Sequence, residues 1–393
     1  VGASTFSLMQ AGTNYVSVRV VDYAGSTTAL SDVFYVRKDT TAPSSPSPAA
    51  PADGGFSNSA GPLFDWSDSA DALGGISGYE LYISTDQYFA VFQASAAPAA
   101  SQHQASGLGS AKYYWKVRSK DNAGNFSVYT STYALSIDTA PPTVADNQAG
   151  DDAWRGSDPG AVYNVDFADA GGSLLNTVQY SAWTLPGFGG SNLAPWTNIA
   201  APPVNLASYT ADWAANFGLL GSGTSYISVR AADKALGAVE TQDVFYVRKD
   251  VSAPSITDNQ AGDDNWRNSN TGVYNVDYTD AGGSRLDRFQ IKITTGPSQT
   301  GTLLLDWTDK AAINSETYTA DWTLSFDQWT LLGPGTSYVS VKVFDGAQNS
   351  ATLSDAFYIR KDTSAPTITD NQGGDDAWRG ANTGLYNVDF ADA

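Results

Sequence analysis

The chain has no cysteine, a single histidine and a single methionine in 393 residues, and it carries 21 Lys and Arg against 41 Asp and Glu. Without cysteine there are no disulfides, no thiolate metal sites and no cysteine nucleophile. The formal charge of −20 repels phosphate backbones and anionic lipid, which argues against nucleic acid and membrane surfaces as partners and favours cations. Long apolar runs are missing too. No stretch reaches the roughly 18 residues that span a bilayer, so no membrane insertion is expected in this segment. The opening VGASTFSLMQAG has no charged region ahead of a hydrophobic one, as an export signal would. The chain therefore reads either as intracellular or as an internal piece of a secreted protein. Its 42% hydrophobic residues, 12% of the chain being aromatic, are those of folded protein. The length suits roughly two to four domains.

Catalytic equipment is equally sparse. A G-x-S-x-G elbow, an H-E-x-x-H helix, a P-loop and a dinucleotide glycine fingerprint are all absent, and His103 stands in the polar segment AASQHQASG, where it reads as solvated. Asp151 with Asp152 and Asp263 with Asp264 form carboxylate pairs. Neighbours in an extended chain point to opposite faces, so these pairs read as solvated loop acids or cation ligands. No enzyme activity is expected.

What the chain does have is repetition. DNQAGDDAWR, DNQAGDDNWR and DNQGGDDAWR place Trp154, Trp266 and Trp378 at intervals of 112 residues. In the same order follow YNVDF or a close variant, YTADW, GTSYxSV and VFYVRKD. Residues 1–42 hold only the last two phrases and residues 366–393 only the first two, so the chain reads as a window on a longer tandem array. The expected division is 1–42, the C-terminal part of a module; 43–141, 142–253 and 254–365, three complete modules; and 366–393, the N-terminal part of another.

Between clusters of Gly, Pro, Asn and Asp the segments are short and alternate with a period of two, as half-buried strands do. In YVSVRVVD, Val16, Val18 and Val20 share one face. In VFYVRKD, Phe34 and Val36 point inward, and Tyr35 and Arg37 outward. No amphipathic helix of useful length is present. Modules of about 100 residues with roughly seven such strands predict an all-β chain of tandem immunoglobulin-like, fibronectin III-like antiparallel sandwiches in an elongated array. Residues 61–138 resemble a bacterial fibronectin type III or Ig-like module. The resemblance is carried by Trp66, by Tyr79, by the alternation of Tyr113, Trp115 and Val117, and by the DNAGN turn at 121–125. It implies a setting among large bacterial surface proteins, adhesins and multidomain secreted hydrolases, without implying one activity.

The sandwich topology brings particular acids together. The B–C and F–G turns of a module return to the end where the last strand of the preceding module arrives. Asp39 is therefore expected to face Asp121 and either Asp68 or Asp71; Asp138 to meet Asp169 and Asp233; and Asp250 to meet Asp280 and Asp345. Asp22, Asp121, Asp233 and Asp345 each follow Tyr15, Tyr114, Tyr226 and Tyr338 by seven residues, which supports the mapping. Calcium, a hard cation that takes six to eight oxygen ligands from loops, suits such a site, although the D-x-D-x-D-G loop is missing. The resemblance adds that large bacterial Ig-like adhesins use junction ions. The competing readings are Asx turns and pairing with Lys38, Lys249 and Lys361. Asp362 is the corresponding acid of the next linker.

Trp183, Trp196 and Trp329 lie in segments that read as irregular, where an exposed indole would offer a sugar-stacking platform for cell-surface glycans. Most aromatics of a sandwich fill its core. The function expected is structural: an extracellular or cell-surface fibre, filament or sheath, of bacterial origin, that associates with its own copies side by side or end to end. The alternatives are the spacer stalk of an adhesin and the accessory modules of a secreted polysaccharide hydrolase.

Overall fold

In the computed structural model, which describes residues 1–148, 152–260, 264–373, 378–381 and 384–392, the alternation becomes strands with enclosed inward faces. Along Gly223–Asp233, Ile227, Val229 and Ala231 are buried; along Ala238–Lys249, so are Phe245 and Val247. The two strands pair antiparallel with Tyr226 opposite Tyr246. A bulge between Ile227 and Val229 faces Asp243, whose φ of 47° is a left-handed conformation that aspartate tolerates better than most residues. Its amide donates to Ser228 Oγ at 3.1 Å, and Asp32 with Ser17 and Asp355 with Ser340 repeat the device.

Each complete module has two sheets. In the module of 142–253, strands Thr143–Asp146 (A), Val165–Ala168 (B) and Ser208–Tyr209 (E) form one. The other runs Trp154–Arg155 (A′), Ala238–Lys249 (G), Gly223–Asp233 (F), Leu175–Leu185 (C), Gly189–Asn198 (C′), with A′ parallel to G. The module of 254–365 repeats both orders, and so does that of 43–141, where A′ is Gly55–Ser57 and G is Tyr133–Ile137. This is the immunoglobulin-like, fibronectin III-like sandwich, in tandem. Gly12–Val21 with Thr27–Lys38 forms an F–G hairpin, and Thr367–Asp370 with Val388–Ala391 an A–B pair. Among the described residues no helix is long and apolar enough to cross a membrane.

Each sandwich has its own core. In the two 112-residue modules the tryptophan of YTADW is central: Trp213 lies against Tyr163, Tyr180 and Phe245, and Trp322 against Tyr274, Phe289 and Phe357. The module of 43–141 uses Trp66 and Trp115, packed on Tyr79 and Phe64.

Two expectations about irregular segments are corrected. Trp183 and Trp196 stand in strands C and C′, because Gly187 and Phe188, both at positive φ, turn the chain into a hairpin instead of a loop. Trp329 sits in the helix Phe326–Thr330, started by a reciprocal capping box between Ser325 and Gln328, and is buried. It offers no sugar platform. Trp196 is half-buried, with the Arg230 guanidinium 4.4 Å from its ring centroid. His103 is half-buried on the short strand Gln102–Gln104.

Candidate metal centres at the module junctions

An aspartate follows the last strand of each module, after Lys38, Lys249 and Lys361 in three cases and after Ile137 in the fourth, and it is where the chain leaves one sandwich for the next. The backbone amide of Asp250 donates to the Arg155 carbonyl at 3.1 Å, and that of Asp138 to the Ser57 carbonyl at 2.8 Å, so strand A′ fixes the exit. The following module presents its B–C and F–G turns at this point. Three trios result: Asp39, Asp71 and Asp121; Asp138, Asp169 and Asp233; Asp250, Asp280 and Asp345. Within each, a carboxylate oxygen from every residue lies within 4.8 Å of the others. All six acids of the later trios are buried; in the first, Asp121 is buried, and Asp39 and Asp71 are half-buried. Asp68, the other candidate for the first trio, is exposed and stands outside it.

Hydrogen bonding aims these groups. Asp39, Asp138 and Asp250 each accept from the amide two residues on, at 2.9–3.0 Å, which is the Asx turn expected as a competing reading. It uses one oxygen only. The other oxygen of Asp138 accepts from Ser173 N at 2.9 Å, and that of Asp250 from Ser284 N at 3.1 Å, both across the joint. Asp71 accepts from the amides of Leu73, Gly74 and Gly75, which pins its loop. Each trio retains one buried carboxylate oxygen without a partner: Asp39 Oδ2, Asp233 Oδ2 and Asp280 Oδ2. A buried anionic oxygen left unpaired is costly, and a cation is the partner that would satisfy it.

Among the described residues, no protein cation does so. The lysines beside the linker acids turn away: Lys249 Nζ donates to the Phe217 and Leu220 carbonyls, both at 2.8 Å, Lys361 Nζ to those of Trp329 and Leu332, and Lys38 Nζ to those of Ser7 and Met9. They clamp the E–F connection of their own module, so the expected alternative of Lys–Asp pairing is overturned. Among the described residues, no Lys or Arg forms an ion pair with any of the nine acids. Three ionised carboxylates within 4.8 Å repel by about 3.5 kcal/mol per pair at an effective dielectric of about 20. Burial, and then the charges of Asp138 and Asp169, push the Asp233 carboxyl above the ordinary aspartate range. Burial, with Asp250 and Asp280, does the same to Asp345 despite two hydrogen bonds from Asn349. At Asp121 burial pulls upward but is outweighed by hydrogen bonds from Asn125 and Ala123, so its pKa is lowered.

Glycines that sequence reasoning passed over complete the sites. A Cβ on Gly171 would lie 1.6 Å from Asp138 Oδ1, one on Gly282 2.0 Å from Asp250 Oδ1, and one on Gly74 2.6 Å from Asp39 Oδ2. The G-G after each B–C acid is therefore the seat on which the upstream carboxylate rests. The recurrence of D-A-G-G at 169–172 and 280–283 was the available signal. Asn125 and Asn349 were also missed; each holds its F–G acid and donates to a linker carbonyl, Asp39 O at 3.4 Å and Asp250 O at 2.9 Å.

Of the carboxylate pairs, Asp151 and Asp263 lie outside the described residues. Asp152 accepts from the Tyr246 hydroxyl and faces Arg248 at 3.4 Å; Asp264 does the same with Tyr358 and with Arg360 at 3.4 Å. These acids tie strand A′ to strand G and belong to no trio.

No family model matches this chain. No curated protein matches it either. Among solved structures it is similar to a tetra-tandem repeat in the extending region of a large adhesion protein, at 16% identity and a TM-score of 0.32, over 90% of this chain and 82% of that one. It is similar to the fibronectin(III)-like modules of Clostridium thermocellum CbhA, at 14% identity and a TM-score of 0.30, over 52% of this chain and 94% of that one. A third likeness is to a Ca2+-stabilized adhesin that helps an Antarctic bacterium reach out and bind ice, at 15% identity and a TM-score of 0.28, over 89% and 85%.

Proposed function

We propose that the chain is a structural rod, a length of a bacterial cell-surface or extracellular protein, in which Ca2+ bound at each module junction holds successive sandwiches in line. Its modules divide at 43–141, 142–253 and 254–365. The observation that carries this reading is the trio of carboxylates, with one buried oxygen left unsatisfied, at each of the three joints that lead into 43–141, 142–253 and 254–365. The ligand set is oxygen alone, without His or Cys, which suits a hard cation and disfavours zinc. Asp233, Asp280 and Asp39 would supply the free oxygens and their trio partners the remaining charge. Linkers of a few residues ending in Pro43, Pro254 or Pro366 leave little slack between modules, so an ion there acts on orientation. Such a rod serves as fibre, filament or sheath if it associates with its own copies, and as a stalk if it carries a distant binding domain.

Calorimetric titration of the chelator-stripped chain with Ca2+ tests this. Binding at the three junctions, with a rise in melting temperature, is expected; one site filled to 100 times its dissociation constant stabilises by about 2.7 kcal/mol. Absence of binding, or binding undiminished after the triple change Asp39→Asn, Asp233→Asn and Asp280→Asn, removes the ion from the account.

A further inference from the structure

We propose that the Trp-Arg-Gly turn at the end of strand A′, residues 154–156, is a docking surface for the following module, and that its protein contact orients the joint between 142–253 and 254–365 whether or not an ion is bound there. This goes beyond the cation reading and does not rest on it. The phrase DNQAGDDxWR recurs almost unchanged, yet neither the core nor the acid trio uses its tryptophan. The Trp154 indole instead lies against the next module: a Cβ on Gly283 would stand 3.2 Å from its Cη2 and 3.8 Å from its Cζ3. On the other side Gly156 meets the next F–G turn, where a Cβ would be 2.6 Å from Asn349 Oδ1 and 2.8 Å from the Ala347 carbonyl. The Asn349 side chain is itself fixed, donating to the carbonyls of Asp250 at 2.9 Å and Ser252 at 3.3 Å.

One turn thus touches the linker, the B–C turn and the F–G turn of its neighbour. Three separated contacts define an orientation, which a single tether cannot. Behind the indole the Arg248 guanidinium stands 5.9 Å from the ring centroid and pairs with Asp152, so the ring is held from its own module. A flat indole on a side-chain-free Gly-Gly turn buries apolar area at little conformational cost. The occupant is a module of the same kind as its host, because the two turns that seat there carry Gly283 and Asn349.

The preceding joint is made differently. Phe56 occupies the Trp154 position in the module of 43–141; it is 40% exposed, and its ring stands 5.7 Å from Lys234 Nζ of the next module. In the following repeat Asn268 replaces Gly156, where the observed joint has no room for a Cβ.

The absence of cysteine gives a clean background for paired spin labels on the full chain. Labels go on Thr210→Cys with Thr319→Cys across the Trp154 joint, and on Ser106→Cys with Thr210→Cys across the joint before it, all exposed positions. In chelator the first pair is expected to keep a narrow distance distribution and the second to be broader. Trp154→Ala, and separately Gly156→Val, should broaden the first pair while circular dichroism and melting of the sandwiches stay unchanged. Gly156 is not at positive φ, so valine there is strained only by the joint. A broad first pair in the unaltered chain, or a narrow one untouched by both variants, overturns the proposal. Failure of the cation reading looks different: Ca2+ would not bind, and the chelator distributions would be unaffected.

Discussion

The joint of Asp39, Asp71 and Asp121 and the two joints downstream place corresponding acids in different surroundings. In the first, two of three carboxylates reach solvent; in the others all three are enclosed. Asp121 is held ionised by Asn125 and by amides of its own turn, whereas Asp233 and Asp345 are pushed toward protonation by burial and by their trio partners. At 237 a glycine stands where Asn125 and Asn349 stand in the neighbouring F–G turns, and Asp233 Oδ2 is the oxygen left bare. Repetition of an acid in sequence therefore does not fix its electrostatics. The residue four places on, and the depth of the joint, decide how strongly it needs a cation.

Alanine at the seating glycines separates the joints most sharply. Gly171→Ala puts a methyl 1.6 Å from Asp138 Oδ1, and Gly282→Ala one 2.0 Å from Asp250 Oδ1; neither acid has solvent to retreat into. Each should cost about 1–3 kcal/mol, as overpacking does, and remove the Ca2+-dependent part of the stability. Gly74→Ala, at 2.6 Å from the half-buried Asp39, should cost less than about 1 kcal/mol. None of the three glycines is at positive φ, so backbone strain does not confuse the comparison. Scanning calorimetry with and without Ca2+ reads both effects, and equal losses at Gly74 and Gly171 would break the distinction.

The acid response should differ in sign. Without Ca2+, the raised pKa of Asp345 means that the folded chain binds a proton more readily than the unfolded one, so this group lowers stability as pH rises through that range. Asp345→Asn should then be the more stable protein in chelator at neutral pH, with the difference vanishing on acidification, and the less stable one once Ca2+ is added. For Asp121 the folded pKa is lowered, so its contribution is present at neutral pH and lost as pH falls through the folded value. Asp121→Asn should be destabilised even in chelator. Melting curves across pH for the two variants decide it; slopes of the same sign would contradict the assignment.

Much of this was readable because strand alternation is rigid. A tyrosine and an aspartate seven residues apart on strand F must emerge on fixed faces, so the F–G acids could be placed before any coordinates. The same parity sets Lys38 on the face of Phe34 and Val36 and opposite to that of Asp39, which is the sequence signal against Lys–Asp pairing. Loop geometry was less legible. Asp68 and Asp71 are the same residue type three positions apart, and only the amides of Leu73, Gly74 and Gly75 converging on Asp71 select it. Pro186 and the glycines around Phe188 read as a break, yet they turn a long hairpin. The capping pair Ser325 and Gln328 was in plain view but lay in a segment too short for helical periodicity to register.

The smallest expected effect tests whether one amide accounts for the behaviour of the first joint. Asn125 donates from Nδ2 to Asp121 Oδ2 at 2.7 Å and from its backbone amide to Asp121 Oδ1 at 2.8 Å. Asn125→Gly keeps the backbone bond, as Gly237 keeps its own to Asp233 at 2.8 Å, and bares the second oxygen. The loss should be about 1 kcal/mol in chelator, the ordinary worth of one hydrogen bond. More telling is direction. With the side-chain donor gone, burial is less opposed, the Asp121 carboxyl should rise toward the behaviour of Asp233, and the slope of stability against pH should flatten or invert. Were the slope to stay as in the unaltered chain, the amides of Ala123 and Asn125 alone would hold the charge, and solvent access would be what distinguishes this joint from the other two.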